Sequence, residues 1–183
     1  MHGNIQRIRE IILEVKKMAS PHVDSNNIKC KKLVDKLTSS GQSTLKIFQS
    51  LEGEDWYQQV YSGGANWSVY HILAHFVASG ASIVRLIKFI LKGNEGVPEG
   101  FDIDAFNERE VNCFSKLPND LILQRFIERR EETIQLLLEL SDYDLAIEGR
   151  HPWLGVAPIE EMIKLLYRHT LIHQRDIRKV LVY

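Results

Sequence analysis

The chain has 183 residues, 44% hydrophobic and 26% charged, with 24 acidic against 23 basic side chains and a formal net charge of −1. A chain of this length and apolar content can bury a core without covalent staples, and its 11 Gly and 5 Pro are too few for a fibrous or disordered protein. The missing basic excess argues against nucleic acid as a partner; with no unbroken apolar run of about 18 residues no membrane partner is expected, and with no signal-peptide pattern at the N-terminus the cytoplasm is the expected compartment.

In chain order, hydrophobic periodicity predicts helices almost throughout. Ile5, Ile8, Ile12, Val15 and Ala19 recur at helical spacing until Ser20-Pro21 breaks the pattern, so residues 1–24 read as an N-terminal helical extension to a bundle over 25–183, the whole forming one domain. Asn26 and Asn27 can cap a second helix carrying Cys30, Leu33, Leu37, Gly41, Leu45, Phe48 and Leu51 along one face. After Gly53, a short helical turn and loop with Trp56, Tyr57 and Tyr61 run to Gly63-Gly64. A third helix, started by Asn66 or Ser68, buries Val69, Ile72, Leu73, Phe76, Ile83, Ile87 and Ile90. A short fourth helix spans about Asp102–Ser115, and Pro118 opens a fifth with Leu123, Phe126, Arg130, Thr133, Leu137 and Leu140 on one face. Ser141–Ala157 reads as a Gly/Pro-containing loop, and Pro158 opens a last helix that continues almost to Tyr183. The fold class is all-α: an antiparallel four-helix bundle with an extra N-terminal helix and a short additional one.

The last helix carries the chemical signal. Its stripe Met162, Leu166, His169, His173, Asp176, Val180 turns ionisable where a core face should be apolar. His169 and His173, at i and i+4, stack on one face at a separation one metal ion can bridge. A third ligand must come from elsewhere, and the third helix offers His71 and His75, again at i and i+4; spacing does not choose between them. Imidazole ligation suits zinc, nickel, copper or iron. Thr170 stands where a zinc peptidase has its glutamate base, and the one Glu-x-x-His spacing, Glu148 to His151, falls in a loop, which excludes the zincin and di-iron patterns. Asp176, one turn beyond His173, can orient an imidazole or accept a proton, or form a salt bridge to Arg130. Asn107 shares a face with Phe106 and Phe114 and can line a substrate pocket, which Trp67 and Trp153 can wall. His2, His22 and His151 read as exposed and unpaired, and Cys30 and Cys113 as small buried apolar residues rather than a disulfide or metal pair.

The segment Trp67-Ser68-Val69-Tyr70-His71-Ile72-Leu73-Ala74-His75-Phe76 resembles the "W-S/T-V-x-x-x-L-A-H-L" signature of the DinB/YfiT-like superfamily, and His169-Thr170-Leu171-Ile172-His173 resembles its terminal H-x-x-x-H. Glu54-Asp55-Trp56 and Gly63-Gly64 are similar to the approach to that tryptophan, so the likeness covers roughly 28–182. It departs where Arg175 and Asp176 replace the Gly-Gln common before the isoleucine matched by Ile177. The resemblance implies a metal-binding four-helix bundle holding zinc or nickel on His75, His169 and His173, with His71, at a variable position, left to line the site. It also implies a choice of chemistries: bacillithiol-using thiol transferases, mycothiol-dependent maleylpyruvate isomerases and hydrolases share the scaffold. Phe106-Asn107-Glu108-Arg109 and His151-Pro152-Trp153-Leu154-Gly155 are similar to the isomerase-related branch. The expected protein is a metal-dependent enzyme that activates a low-molecular-weight thiol or water against a small electrophile; the alternatives are a non-catalytic metal-binding bundle or a thiol-independent hydrolase. Such bundles pair through helices, and a homodimer is expected.

Overall fold

A computed structural model describes residues 28–114 and 116–181. The N-terminal extension, with His2 and His22, lies outside the described residues. The helices are α1 (Ile28–Gln49), α2 (Val69–Leu91), α3 (Ile103–Phe114), α4 (Asn119–Glu139) and α5 (Ile159–Val180). Leu51 falls beyond the end of α1 but stays in the core, and Pro118 and Pro158 sit as caps one residue before the first helical residue. With φ near −60° already set and no N–H to satisfy, proline suits a helix entrance.

Helices α1, α4, α2 and α5 form a ring in which each packs on its two neighbours, so the consecutive pair α1 and α2 lie on a diagonal, as do α4 and α5. The Cys30 thiol meets the Leu140 carbonyl at 3.3 Å and Gly41 faces Arg130, which sets α1 antiparallel to α4. Lys29 meets Glu160 at 3.4 Å and Gln174 Nε2 meets Thr44 Oγ1 at 2.8 Å, which makes α1 and α5 parallel. Phe76 packs on Phe126 and Gly80 on Arg129, so α2 runs parallel to α4 and therefore antiparallel to α5. A parallel pair needs a crossover, and α3 with its flanking loops supplies it between α2 and α4.

Within Val69–Ile90 a stretch of 18 residues has a mean hydropathy of 1.5, long and apolar enough to cross a membrane, although no unbroken run suggests it. In this fold the helix is the bundle's core element: the apolar residues named for it are all buried. Two apolar clusters fill the interior, one around Leu37, Ile87, Leu137 and Met162, the other around Phe48, Ile72, Phe126 and Ile177. Residues of three helices lie buried along the middle of the bundle as a polar layer: Ser40 and Thr44, Thr133, and Thr170 and Gln174.

Two loops of the sequence reading are hairpins. A 3₁₀ turn (Gly53–Tyr57) leads into β1 (Gln59–Tyr61), which pairs with β2 (Trp67–Ser68) directly ahead of α2. After a second 3₁₀ turn (Asp144–Ala146), β3 (Glu148–His151) pairs antiparallel with β4 (Gly155–Pro158), joined by three residues with Gly155 at φ +69°. That is the geometry of a three-residue hairpin closed by a left-handed residue. The hairpin lies so close to α2 that a Cβ at Gly149 would come within 2.4 Å of the Ile90 side chain. It is also tied to the loop after α2 by Val97 N donating to Arg150 O at 2.9 Å. Cys113 is exposed rather than buried, because the short α3 turns little of its surface inward; Cys30 is buried as expected, and burial pushes its thiol up to about 11.

Candidate metal centre

The core line of α5 runs through Met162, Ile163, Leu166, Thr170, Gln174 and Ile177, so it follows Thr170 and Gln174 where the sequence reading put His169 and His173. The two histidines flank that line, turned toward the buried His75 of α2. The ligand-capable atoms of His75, His169 and His173 lie within 4.8 Å of one another. His169 Nε2 stands 2.7 Å from His173 Nε2 and 3.2 Å from His75 Nε2. Four-coordinate zinc at about 2.0–2.1 Å from each nitrogen would space its ligands by about 3.3 Å, so the donor set fits a divalent cation in type and reach.

Proton bookkeeping sharpens the fit. The Tyr61 hydroxyl lies 2.9 Å from Asp176 Oδ2 and 2.7 Å from His173 Nδ1. Asp176 is held ionised, its carboxyl lowered chiefly by Lys179 at 2.7 Å, so the single phenolic proton goes to Asp176. His173 Nδ1–H then donates to the Tyr61 oxygen, and His173 Nε2 carries a lone pair aimed at the cluster. Burial disfavours the charged form of all three rings: it lowers His169 to about 4, lowers His173 to about 3 with repulsion from His169 adding to the effect, and holds His75 well below its ordinary value. With neutral rings, His169 Nε2 can satisfy only one of its two close neighbours: as a donor to His173 it has no lone pair for His75, and as an acceptor it opposes the His173 lone pair. His75 Nδ1 is buried with no hydrogen-bond partner. Three lone pairs converging on one cation remove the conflict.

Tyr61 therefore connects Asp176 to His173, an outer-shell arrangement that fixes a ligand's tautomer. Asp176 does not pair with Arg130, whose guanidinium sits 5.4 Å over the Phe126 ring and whose stem faces Gly41. Trp67 packs against His75 with ring centroids 4.8 Å apart. His71 turns away: its Nδ1 accepts from Ser68 N at 3.2 Å and lies 2.8 Å from Ser68 Oγ, closing the entrance of α2, and it borders a separate recess with Tyr57 and Asn119. Sequence spacing could not separate His71 from His75, which share one side of the helix; what separates them is the engagement of His71 by Ser68 at the helix entrance.

Beside the cluster lies a cavity of about 720 Å³, bordered by His75 and His169 at one side and by Asn107 and Trp153 among its walls. Phe89, Phe101 and Phe106 make much of the lining apolar. His151 also borders it, and here the expectation of an exposed, unpaired histidine fails: it is 7% exposed and its Nδ1 accepts from Trp153 N at 3.1 Å and Leu154 N at 3.3 Å. Burial lowers it to about 4. The hairpin explains the error, since a histidine at the end of β3 faces α2 rather than solvent. Tyr61 was missed for a similar reason; Gln59-Val60-Tyr61 before Gly63-Gly64 carries a strand signal too short to outweigh a loop.

Among solved structures, the chain is similar to YfiT from Bacillus subtilis, described as a probable metal-dependent hydrolase with an unusual four-helix bundle topology, at 17% identity and TM-score 0.68 over 88% of this chain and 90% of that one. It is similar to the mycothiol-dependent maleylpyruvate isomerase at 16% identity and TM-score 0.66 over 81% of this chain, spanning only 60% of the isomerase's length. A third similar structure is the colibactin self-resistance protein ClbS, solved in complex with a dsDNA, at 16% identity and TM-score 0.62 over 86% of this chain and 96% of that one. No curated protein sequence matches. At these identities the likeness establishes the bundle fold and leaves the reaction open. Residues 36–177, most of the chain, match the DinB superfamily as a sequence family, and the chain belongs to it.

Proposed function

We propose that this protein is a metal-dependent enzyme in which His75, His169 and His173 hold one divalent cation, zinc or nickel, and a small thiol or water attacks a small electrophile bound in the adjoining cavity. The observation that carries this reading is the convergence of three neutral imidazoles whose lone pairs have no consistent protein-only arrangement. Such a cation, when bound, supplies the Lewis acidity that makes a thiol or water nucleophilic near neutral pH. The chain's own residues do the rest. Tyr61 and Asp176 hold His173 in the ligating tautomer, so Asp176 is a positioning residue. Trp67 fixes the plane of His75, and Asn107 and Trp153 bound the space for substrate. His71 serves the entrance of α2 and not the substrate.

The mycothiol dependence of the isomerase and the probable hydrolase character of YfiT support a thiol and water, respectively, as the attacking group. A net charge of −1 favours a small molecule over nucleic acid, notwithstanding the DNA in the ClbS structure. A free, exposed Cys113 suits a reducing compartment such as the cytoplasm. A homodimer completes the proposal, and light scattering giving a monomer at high concentration removes it.

The deciding experiment assays a panel of electrophiles with bacillithiol, mycothiol, glutathione or no thiol, on metal-loaded and chelated protein. Turnover that needs both metal and one thiol supports the transferase or isomerase form; metal-dependent turnover indifferent to thiols selects the hydrolase. Activity unchanged by chelation overturns the metal reading, and a metal-loaded protein inert across the panel is a binding module.

A further inference from the structure

His151 stands in the cavity wall, on a different element from the metal-centre histidines, and its chemistry is fixed by the hairpin that carries it. Its Nδ1 accepts two backbone N–H groups, from Trp153 and Leu154. An imidazole nitrogen that accepts cannot carry the proton, so the neutral ring holds it on Nε2. Burial keeps the ring neutral across the physiological range. What His151 offers the cavity is therefore one uncharged, rigidly held N–H donor. The walls around it are built from Phe89, Phe101, Phe106 and Trp153, with Leu86 and Val97. Two charged side chains border the cavity, Arg85 and Asp104, opposite in sign. The Arg85 side chain is 66% exposed, 3.9 Å from Glu110 and donating to Ser82 Oγ at 3.1 Å. A charged ligand would lose its hydration against such walls without a buried counter-charge to offset it, whereas an apolar ring system would not, and the cavity's size is that of an ordinary small-molecule site.

We propose that the cavity binds an uncharged small molecule with an aromatic or similarly apolar body and one carbonyl-type oxygen, and that His151 recognises it by donating Nε2–H to that oxygen. The same donor would polarise the carbonyl of an electrophile under attack without transferring a proton. The fate of the bound molecule rests on the metal-dependent reading above; its binding does not.

The test is calorimetric titration of the full chain with 4-phenylbutan-2-one and with the hydrocarbon in which C=CH₂ replaces its carbonyl, on metal-loaded and chelated protein, with metal content measured on the same samples. The ketone is expected to bind about tenfold more tightly than the hydrocarbon. In His151→Asn the side-chain oxygen can still accept from Trp153 and Leu154 while the distal donor is gone; the preference should vanish with the hydrocarbon's affinity unchanged, and His151→Gln, which restores a distal N–H, should recover part of it. Should His151→Asn fail to fold, the His151 Nε2–H resonance of ¹⁵N-labelled protein gives the same answer, shifting with ketone and not with hydrocarbon. Equal binding of the two probes, binding of neither, or a preference that survives His151→Asn overturns the proposal. So does a preference lost on chelation, which would hand the oxygen to the metal centre. A preference kept by protein that binds no metal leaves this site standing and removes the metal reading alone.

Discussion

Two buried polar regions lie along the same helix, and they are built on opposite rules. In the middle of the bundle Gln174, fully buried, donates from Nε2 to Thr44 Oγ1 at 2.8 Å and to Ser40 O at 3.4 Å, and accepts from Ser43 Oγ at 3.0 Å. Thr170 donates to Leu166 O, and Thr44 to Ser40 O. Apart from the Ser40 hydroxyl, which is buried without a partner, donors there meet acceptors. On the neighbouring face of α5, His169 and His173 present nitrogens that compete for too few protons, next to a His75 nitrogen with no partner. Burial of polar atoms is common to both, and each holds one unpartnered atom, so neither burial nor a lone unmatched atom marks a site; the convergence of three imidazole nitrogens on one position does. The first arrangement stabilises the fold, and the second is unfavourable until something arrives to complete it.

That contrast makes four predictions, beginning with the largest. His169→Ala removes the nitrogen both other rings approach, and metal content by mass spectrometry should fall from about one per chain to near zero, beyond the roughly 10–100-fold affinity loss of an outer-shell change; full retention of metal would erase the distinction between the two regions. Gln174→Ala should do the reverse: about 1–3 kcal/mol less stable in urea denaturation, from unsatisfied groups in a packed layer, with metal content unchanged. Tyr61→Phe deprives His173 Nδ1–H of its acceptor and should weaken metal binding about tenfold in a chelator competition. Asp176→Asn, whose amide oxygen can still accept from Tyr61, should cost less affinity while lowering turnover.

The smallest effect is in pH. His151 has a folded value lowered to about 4 against an unfolded value of 6.5, so the unfolded chain takes up the proton first and stability drains as pH falls through that window. Wild-type protein should lose stability between pH 6.5 and 5, where the lowered His75, His169 and His173 act in the same direction and the lowered carboxyls of Asp144 and Glu160 do not yet contribute, and His151→Asn should show a shallower slope. Identical slopes would mean that the ring is not held neutral by its surroundings.

What could be read from the residues followed local repetition. Apolar spacing located each described helix, because a stripe on one face is a local property, and the i, i+4 histidines announced themselves by interrupting it. The exact stripe did not: Thr170 and Gln174 bury as deeply as the apolar residues, since a layer of mutual hydrogen bonds makes them interchangeable with core, and hydrophobicity cannot show that. Tyr61 and His151 were illegible for another reason. Each acquires its role by the pairing of a short strand, and strands of three and four residues give too few alternations to be told from loop. The choice of His75 over His71 lay in the family likeness and not in spacing; the structure adds that His71 is engaged by Ser68.

The diagonal placement of consecutive helices has a consequence for how the molecule is assembled. No helical hairpin between chain neighbours brings the cluster together; His75 and His169 are separated by 94 residues, across the crossover that carries α3. Closing so long a loop costs more chain entropy than a contact between neighbours in sequence, which favours its closing after the local contacts. A metal ion held by these three histidines would therefore have little to grip in the early, open chain and would meet its full set of ligands only in the finished ring. Its free energy would then fall on the native side of the folding barrier, where it would slow unraveling and leave the rate of assembly to the apolar stripes.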